Sequence, residues 1–491
     1  MDGALTGLAA RTGETGAGRQ AASLAAFFEP ATIAVVGATD QPGKLGTTVM
    51  RALIEGPYAG RVVPVNPRRD VLFGLDVAAG LADIQGNVDL VFVCVGDAAV
   101  PDVLRACADR RVAAVVVLNA TLGPAEETGA LLDTLRAAGT RVIGPNCMGV
   151  YSSNSGVSWT PRAAFDKDGG LGLVSHSGGM AQDLLLSASA RGLGVSVAAS
   201  LGNCCDVDEV DVVEYLTEDE RTGAIGMYLE GTSRGPALLA AIASASATKP
   251  VVCMKGGRDS AAAEAVATHT GRIAGDYRVW EGLLRQAGAY FVNSPEELLD
   301  CLALVGSEFV DGPLCFVGNG GGASVLLSDL AAAGRLPLAR LADDLIARLE
   351  GAVGVPSSRG GAIWDIPLNF LLANDGDGAS LLAGELSRDA GVGRLVLHLN
   401  LTSFANQDNA EDEVRKLVRR LREATRTGNR VLVLRTDGSA PVNALRAIAI
   451  EEAGEEGDLP CFNSIESLMQ ALTTVARHRS VRAGEGADVG P

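Results

Sequence analysis

Three times along its 491 residues this chain repeats one local pattern: an aliphatic run, a loop of small residues, then an apolar helix. The first copy runs from Thr32-Ile33-Ala34-Val35-Val36 into Gly37-Ala38-Thr39-Asp40-Gln41-Pro42-Gly43-Lys44-Leu45-Gly46, with Val49, Leu53 and Ile54 at helical spacing behind it. The second runs from Leu171 to Ser175, through His176-Ser177-Gly178-Gly179, into a helix from Met180 to Ala190. The third runs from Leu314 to Val317, through Gly318-Asn319-Gly320-Gly321-Gly322-Ala323-Ser324, into a helix from Val325 to Ala333. Strands that alternate with helices build parallel sheets covered by helices on both faces. Ligands of such sheets bind outside the carboxyl ends of the strands, where the free amides of a helix start can hold an anion.

The remaining aliphatic runs complete three such units. Arg61 to Val65, Asp89 to Val95, Val112 to Leu118 and Val142-Ile143 give a five-stranded parallel unit ending near residue 150, with helices at Val100 to Cys107 and Ala130 to Ala138. Strands at Val195 to Leu201, Ala224 to Leu229, Val251 to Met254 and Ala289 to Val292 follow the second loop. The third unit continues with strands near Leu395 to Leu399, Arg430 to Leu434 and Leu459 to Phe462, and helices near Ala410 to Thr425 and Ile465 to Ala476. Units two and three share one architecture with faint sequence identity, which reads as an internal duplication. The expected organisation is a mobile leader over 1–27, a Rossmann-like domain over 28–150, flavodoxin-like domains over 151–306 and 307–478, and a disordered tail over 479–491.

Charge narrows the function. With 59 acidic against 41 basic residues and a net charge of −18, the chain is a poor binder of nucleic acid, which depends on cations neutralising phosphates. An anionic ligand must be held by local features instead. The nine cysteines include no CxxC pair, so they read as reduced residues of a cytoplasmic protein. Cys204-Cys205 has no histidine at ligand spacing in the sequence, and no metal is expected there. Asp206, Asp208, Glu209 and Asp211 read as the acid-rich start of a helix rather than a cation site. No apolar run approaches the ~18 residues of a membrane span, and the leader lacks the apolar core of a signal peptide.

Two stretches carry candidate chemistry. The first loop lacks the GxGxxG dinucleotide fingerprint, and the second strand ends in Asn66-Pro67-Arg68-Arg69 where an NAD site would carry an acid. Arg68 and Arg69 favour a phosphorylated ribose, as in coenzyme A or NADP, or else form a solvated turn. Further on, Lys255-Gly256-Gly257-Arg258 precedes Ala267-Thr268-His269-Thr270-Gly271-Arg272-Ile273-Ala274-Gly275. A histidine among small residues can serve as nucleophile or base, and the alternative is a plain Gly/Ala-rich surface loop.

Taken together these stretches resemble the α subunit of the NDP-forming acyl-CoA synthetases, in the ADP-forming acetyl-CoA synthetase branch related to the succinyl-CoA synthetase α subunit. The resemblance spans roughly residues 28 to 478. It is carried by Val36-Gly37-Ala38, Pro42-Gly43-Lys44-Leu45-Gly46, Val63-Pro64-Val65-Asn66-Pro67, Ile143-Gly144-Pro145-Asn146-Cys147, Ser175-His176-Ser177-Gly178-Gly179, Ser200-Leu201-Gly202-Asn203, Tyr228-Leu229-Glu230-Gly231, the His269 segment and Asn319-Gly320-Gly321-Gly322, in family order.

The resemblance implies an α/β fold: a Rossmann-like CoA-binding domain followed by two flavodoxin-like, succinyl-CoA synthetase-like parallel-sheet domains. It implies a phosphohistidine at His269, oriented by the carboxylate of Glu230. Phosphate would be held at two helix starts, Ser175, Ser177, Gly178 and Gly179 in one and Asn319, Gly320, Gly321 and Gly322 in the other. Coenzyme A would lie against Gly37, Thr39, Pro42, Lys44, Leu45, Asn66, Pro67 and Arg68. A separate ATP-grasp β subunit would bring ATP/ADP and Mg2+, giving a hetero-oligomer that acts on a small carboxylic acid. No ATP-grasp domain is visible in the chain itself. The sequence departs from the family pattern at His176, where the branch usually has Gln, and at Arg272. It departs again at Ile366-Pro367-Leu368-Asn369 in place of Asn-Pro-x-Asp, and at Asn119-Ala120-Thr121-Leu122-Gly123. His176 reads as a change to the acyl pocket, as a second polar contact at the phosphate, or as loop filler. The competing functions are an acyl or carbamoyl transferase on the same scaffold and a non-catalytic CoA-binding partner protein.

Overall fold

The computed structural model describes residues 24–165, 169–258, 275–306, 312–454 and 459–482. Three parallel sheets carry the chain. The first contains β1 (Thr32–Val36), β2 (Arg61–Val65), β5 (Leu90–Val93), β6 (Ala114–Val117) and β7 (Arg141–Ile143), in the order β2-β1-β5-β6-β7. A two-stranded ribbon, β3 (Val71–Leu72) and β4 (Leu75–Asp76), projects after β2. The second sheet has the order β13-β12-β11-β9-β10-β8, from β8 (Gly149–Ser152), β9 (Leu171–Ser175), β10 (Val195–Ser200), β11 (Ala224–Leu229), β12 (Val251–Lys255) and β13 (Tyr290–Val292). The third has the order β15-β14-β16-β17-β18, from β14 (Leu314–Gly318), β15 (Ile363–Asp365), β16 (Arg394–Asn400), β17 (Arg430–Arg435) and β18 (Cys461–Phe462).

With β8 set aside, each sheet has its second strand outside the first and its third on the other side. The order therefore reverses beside the first strand of every sheet: between β1 and β5, between β9 and β11, and between β14 and β16. Those three switch points follow the three small-residue loops, so the loops sit where an open α/β sheet binds its ligand.

The chain forms two compact units. The first holds the first two sheets through Phe291, and the second holds residues 190–193 and the chain from Val292 onward. Within the first unit the two sheets share one apolar core, in which Phe92 and Val116 belong to the same cluster as Val150, Val174 and Ile225. A helix over 24–28 adds Phe27 and Phe28 to it, with Phe28 stacked 4.9 Å from Tyr215. The stretch after residue 150 is not a plain linker. β8 pairs antiparallel with β10, and Tyr151 stacks on Phe165 at 5.0 Å.

In the second unit β15 is a short edge strand with Trp364 buried on it, too brief to show as a run in the sequence. All nine cysteines are free thiols, six of them buried. Cys94 lies just beyond β5 rather than within it. No helix among the described residues is long and apolar enough to cross a membrane.

Candidate functional site

At the first switch point, Gly37 ends β1 with φ +89°, and a Cβ there would meet the Cys94 carbonyl oxygen at 2.5 Å. Glycine is what lets β1 and β5 come this close at their ends. The opening beside it is a cavity of about 580 Å³ whose lining includes Gly37, Asn66, Pro67, Arg68, Val95 and Gly96. Asn66 shapes its rim, donating from Nδ2 to the Ala38 carbonyl at 2.8 Å and accepting the Arg68 amide at 2.9 Å. Arg68 is exposed, and Arg69 pairs with Asp40 at 3.4 Å. Thr39, Pro42, Lys44 and Leu45 lie on the neighbouring loop and helix start, outside that lining. Lys44 is the cap residue of the helix Leu45–Glu55.

At the second switch point Ser175 ends β9, level with Tyr228 on β11. Ser175 Oγ accepts the Ser177 amide at 3.2 Å and donates to the Ser177 carbonyl at 2.8 Å, which folds the chain into the turn that starts the helix Gly178–Ala190. The amides of a first helical turn have no acceptor within the helix and can hold an anion; here Ser177 Oγ accepts that of Met180 at 3.4 Å. Glu230 follows β11, is 6% exposed, and its Oε2 has no hydrogen-bond partner among the described residues. Tyr228 hydrogen-bonds that carboxylate, and burial together with the Glu230 charge pushes its phenol up to about 12.

Lys255, at the end of β12, is buried beside them. Burial lowers its amine to about 8, partly offset by the attraction of Glu230. Its Nζ lies 5.5 Å from the centre of the Trp280 ring. Gly256 makes room for this group, since a Cβ there would meet the Tyr228 hydroxyl at 2.5 Å. His269 and Arg272 lie outside the described residues.

The acids after β10 form the helix start expected of them. Asp208 caps the helix Glu209–Glu218, accepting the amides of Val210 and Asp211. Arg234 holds Asp208 and Asp211 at 3.0 Å each, and Arg141 holds Asp206 at 2.9 Å and Asp211 at 2.8 Å. Glu209 differs from the rest. It is 1% exposed and meets His176. Cys204 brings a sulfur within 4.8 Å of the ligating atoms of both, so a histidine does lie beside the Cys204-Cys205 pair in space. The sequence hid this because His176 is 28 positions upstream on another strand end.

In the second unit, Asn319 Oδ1 accepts the Asn400 amide at 2.8 Å across the switch point. Gly320, at φ +113°, donates its amide to Asp365 Oδ1 at 3.0 Å, ahead of the helix Gly321–Ala333. A Cβ on Gly321 would lie 3.1 Å from the other Asp365 oxygen. The amide that leads into this helix start therefore already carries a carboxylate. Asp365 escaped the sequence reading because β15 was not recognised. Lys255 was noted only as part of a small-residue segment.

These arrangements have counterparts. Residues 31–153 match the model of the CoA binding domain, and residues 168–305 match that of the succinyl-CoA ligase like flavodoxin domain. The chain is 32% identical over 321 residues to "Acetate--CoA ligase [ADP-forming] I subunit alpha" of Pyrococcus furiosus, a match covering 63% of this chain and 69% of that protein.

The chain belongs to the NDP-forming acyl-CoA synthetase family.

A second Pyrococcus furiosus protein, "Acetate--CoA ligase [ADP-forming] II subunit alpha", is 28% identical over 451 residues, 91% of this chain and 95% of that one. Among solved structures, the dinucleotide forming acetyl-coenzyme A synthetase 1 of Ca. Korarchaeum cryptofilum superposes with a TM-score of 0.79 at 27% identity, covering 95% of this chain and 99% of that one. The chain spans about half the length of other curated relatives, 48% and 46% for two of them. This family member thus has a CoA-binding domain followed by succinyl-CoA ligase-like flavodoxin architecture with parallel sheets.

Proposed function

We propose that this chain is the α subunit of an ADP-forming acyl-CoA synthetase, making a thioester from a small carboxylic acid, coenzyme A and ATP. His269 takes the terminal phosphoryl group of ATP held, with Mg2+, by a separate ATP-grasp β subunit, and ADP departs. The phosphoryl group then passes from His269 to the acid, giving an acyl phosphate and restoring the imidazole. The CoA thiol attacks the acyl carbon, phosphate leaves, and the thioester remains. The amides of Gly178 and Gly179, with Ser175 and Ser177 shaping the turn, hold the transferred phosphate. Asn319 and Gly320 to Gly322 form the second holding end. Gly37, Asn66, Pro67 and Arg68 line the cavity for coenzyme A, with Arg68 at the ribose phosphate and Thr39, Pro42, Lys44 and Leu45 on the adjoining loop.

The observation that carries this reading is the buried Oε2 of Glu230, which has no hydrogen-bond partner among the described residues and follows a strand at a switch point, beside a helix start. Burying a carboxylate oxygen without a donor is costly, and such an oxygen suits an imidazole N–H that must be oriented. The buried Lys255 adds positive charge where a phosphoryl group would arrive.

The test is phosphate transfer from γ-labelled ATP to the chain in a lysate of its own host, which supplies the partner. Acid-labile, alkali-stable label, lost in His269→Asn, is the expected result. Absence of label in a lysate shown to hold an active partner overturns the reading.

A further inference from the structure

His176 is 1% exposed, and both of its ring nitrogens are engaged. Nδ1 accepts the backbone N–H of Glu230 at 3.0 Å, and Nε2 lies 3.0 Å from Glu209 Oε2. An amide N–H only donates, so Nδ1 carries no proton and the ring proton sits on Nε2, donated to the carboxylate. Glu209 also takes a hydrogen bond from Thr232; burial alone would raise its carboxyl, and the hydrogen bond from His176, the attraction of that ring when it is charged, and the Thr232 bond outweigh burial and hold it at about 2. One buried carboxylate thus grips the turn after β11 through His176, which follows β9 and accepts the Glu230 amide, and through Thr232 within the turn. The grip is anchored, because Glu209 opens a helix whose cap residue Asp208 is clamped by Arg234.

The side chains of His176, Glu209 and Cys204 also converge at metal-ligand spacing. The tautomer decides against a metal. Nε2 bearing a proton has no lone pair to give, and the lone pair of Nδ1 points to the Glu230 amide.

We propose that His176 is a positioning residue, relaying the fixed Glu209 carboxylate to the Glu230 amide and so setting the direction of the Glu230 side chain. This rests on the reading of Glu230 as the carboxylate that orients a phosphohistidine. The groups around the ring are Glu209 at the helix start, Cys204 after β10, and Tyr228, Glu230 and Thr232 on β11 and its turn, with the Tyr228 carbonyl accepting the His176 amide at 3.2 Å.

Glutamine can copy the pair of contacts, an amide oxygen for Nδ1 and an amide N–H for Nε2, without the ability to protonate. Leucine can copy neither. The experiment measures the rate of phosphate labelling from ATP in the partner-containing lysate for wild type, His176→Gln, His176→Leu and His269→Asn, between about pH 5.5 and 8.5, the range in which histidine titrates. A 15N spectrum of histidine-labelled chain reads the tautomer directly.

His176→Gln is expected within about threefold of wild type at neutral pH, and His176→Leu lower by about tenfold, since both relay partners lose a buried contact. One histidine shows the Nε2–H form and disappears from the spectrum of His176→Gln. Labelling of His176→Leu at the wild-type rate, a proton found on Nδ1, or zinc retained by wild type and lost in His176→Gln overturns the relay while label on wild type leaves the phosphohistidine reading standing. Should His176→Leu not fold, the Gln ratio and the spectrum decide. Absence of label on wild type with an active partner refutes the underlying reading, and the role of His176 with it.

Discussion

Glu230→Gln separates function from stability more cleanly than any other change at the site. It keeps the size and shape of the side chain and removes the charge. A hydrogen bond to a charged group contributes about 1.5–3 kcal/mol, and a factor of ten corresponds to about 1.4 kcal/mol, so losing the orienting bond lowers phosphate labelling roughly 10- to 150-fold. Stability should change little, for two opposing reasons. Keeping a carboxylate charge buried costs free energy in the wild type, and that charge is removed in the variant. Against that, Lys255 loses the attraction of Glu230 and answers by giving up its proton more readily. Each effect is on the order of 1 kcal/mol, and the net change in urea unfolding stays within about that amount. The assay pairs urea denaturation with the initial rate of labelling from ATP in partner-containing lysate. Wild-type labelling by Glu230→Gln, or a destabilisation well above 2 kcal/mol, would falsify the assignment, the second outcome showing a structural anchor instead.

Other perturbations follow from the same geometry. The folded-state carboxyl of Glu209, at about 2, lies below its ordinary value of 4.5, so its contribution is present above pH 4.5 and is lost as pH falls from about 4.5 to about 2. At about 1.4 kcal/mol per unit this amounts to roughly 3 kcal/mol, seen as a shallower acid limb of stability in Glu209→Gln than in wild type. Asp208→Ala removes a cap that accepts two amides and frees Arg234, and should cost about 1–2 kcal/mol in urea unfolding; an unchanged midpoint refutes the cap. Arg68→Ala should weaken coenzyme A by about tenfold in calorimetric titration and leave dephospho-coenzyme A unaffected, while equal loss for both would remove Arg68 from the ribose phosphate.

Much of the parallel-sheet framework could be read along the chain. The strand at Ala224 to Leu229 matches β11 end for end, and Ile465 marks the start of the last helix, because buried parallel strands are continuous aliphatic runs bounded by small residues. The edge strand β15 and the antiparallel strand β8 escaped. A three- or four-residue strand holds too few side chains to show a period, and its pairing is set by the neighbour it meets. Sequence periodicity could not show that the first two sheets share one apolar core, because that packing joins residues far apart along the chain.

At the site, chain order identified Ser175 and Glu230 as ends of strands and Ser177 as the start of a helix, and the family pattern supplied His269. Neither could reveal that His176, Glu209 and Thr232 form one hydrogen-bonded set, or that Asp365 takes the Gly320 amide. What the sequence alone determined is periodic and local: which runs are strands, where glycine allows a turn, and which helix starts face the carboxyl ends of sheets. What only the tertiary structure decided is the meeting of side chains from different strand ends, since the crossovers that bring them together separate them by tens of residues. The tautomer of His176 is the clearest case. It follows from an amide 54 positions away pointing at one nitrogen and a carboxylate 33 positions away at the other, and no composition or spacing encodes that angle.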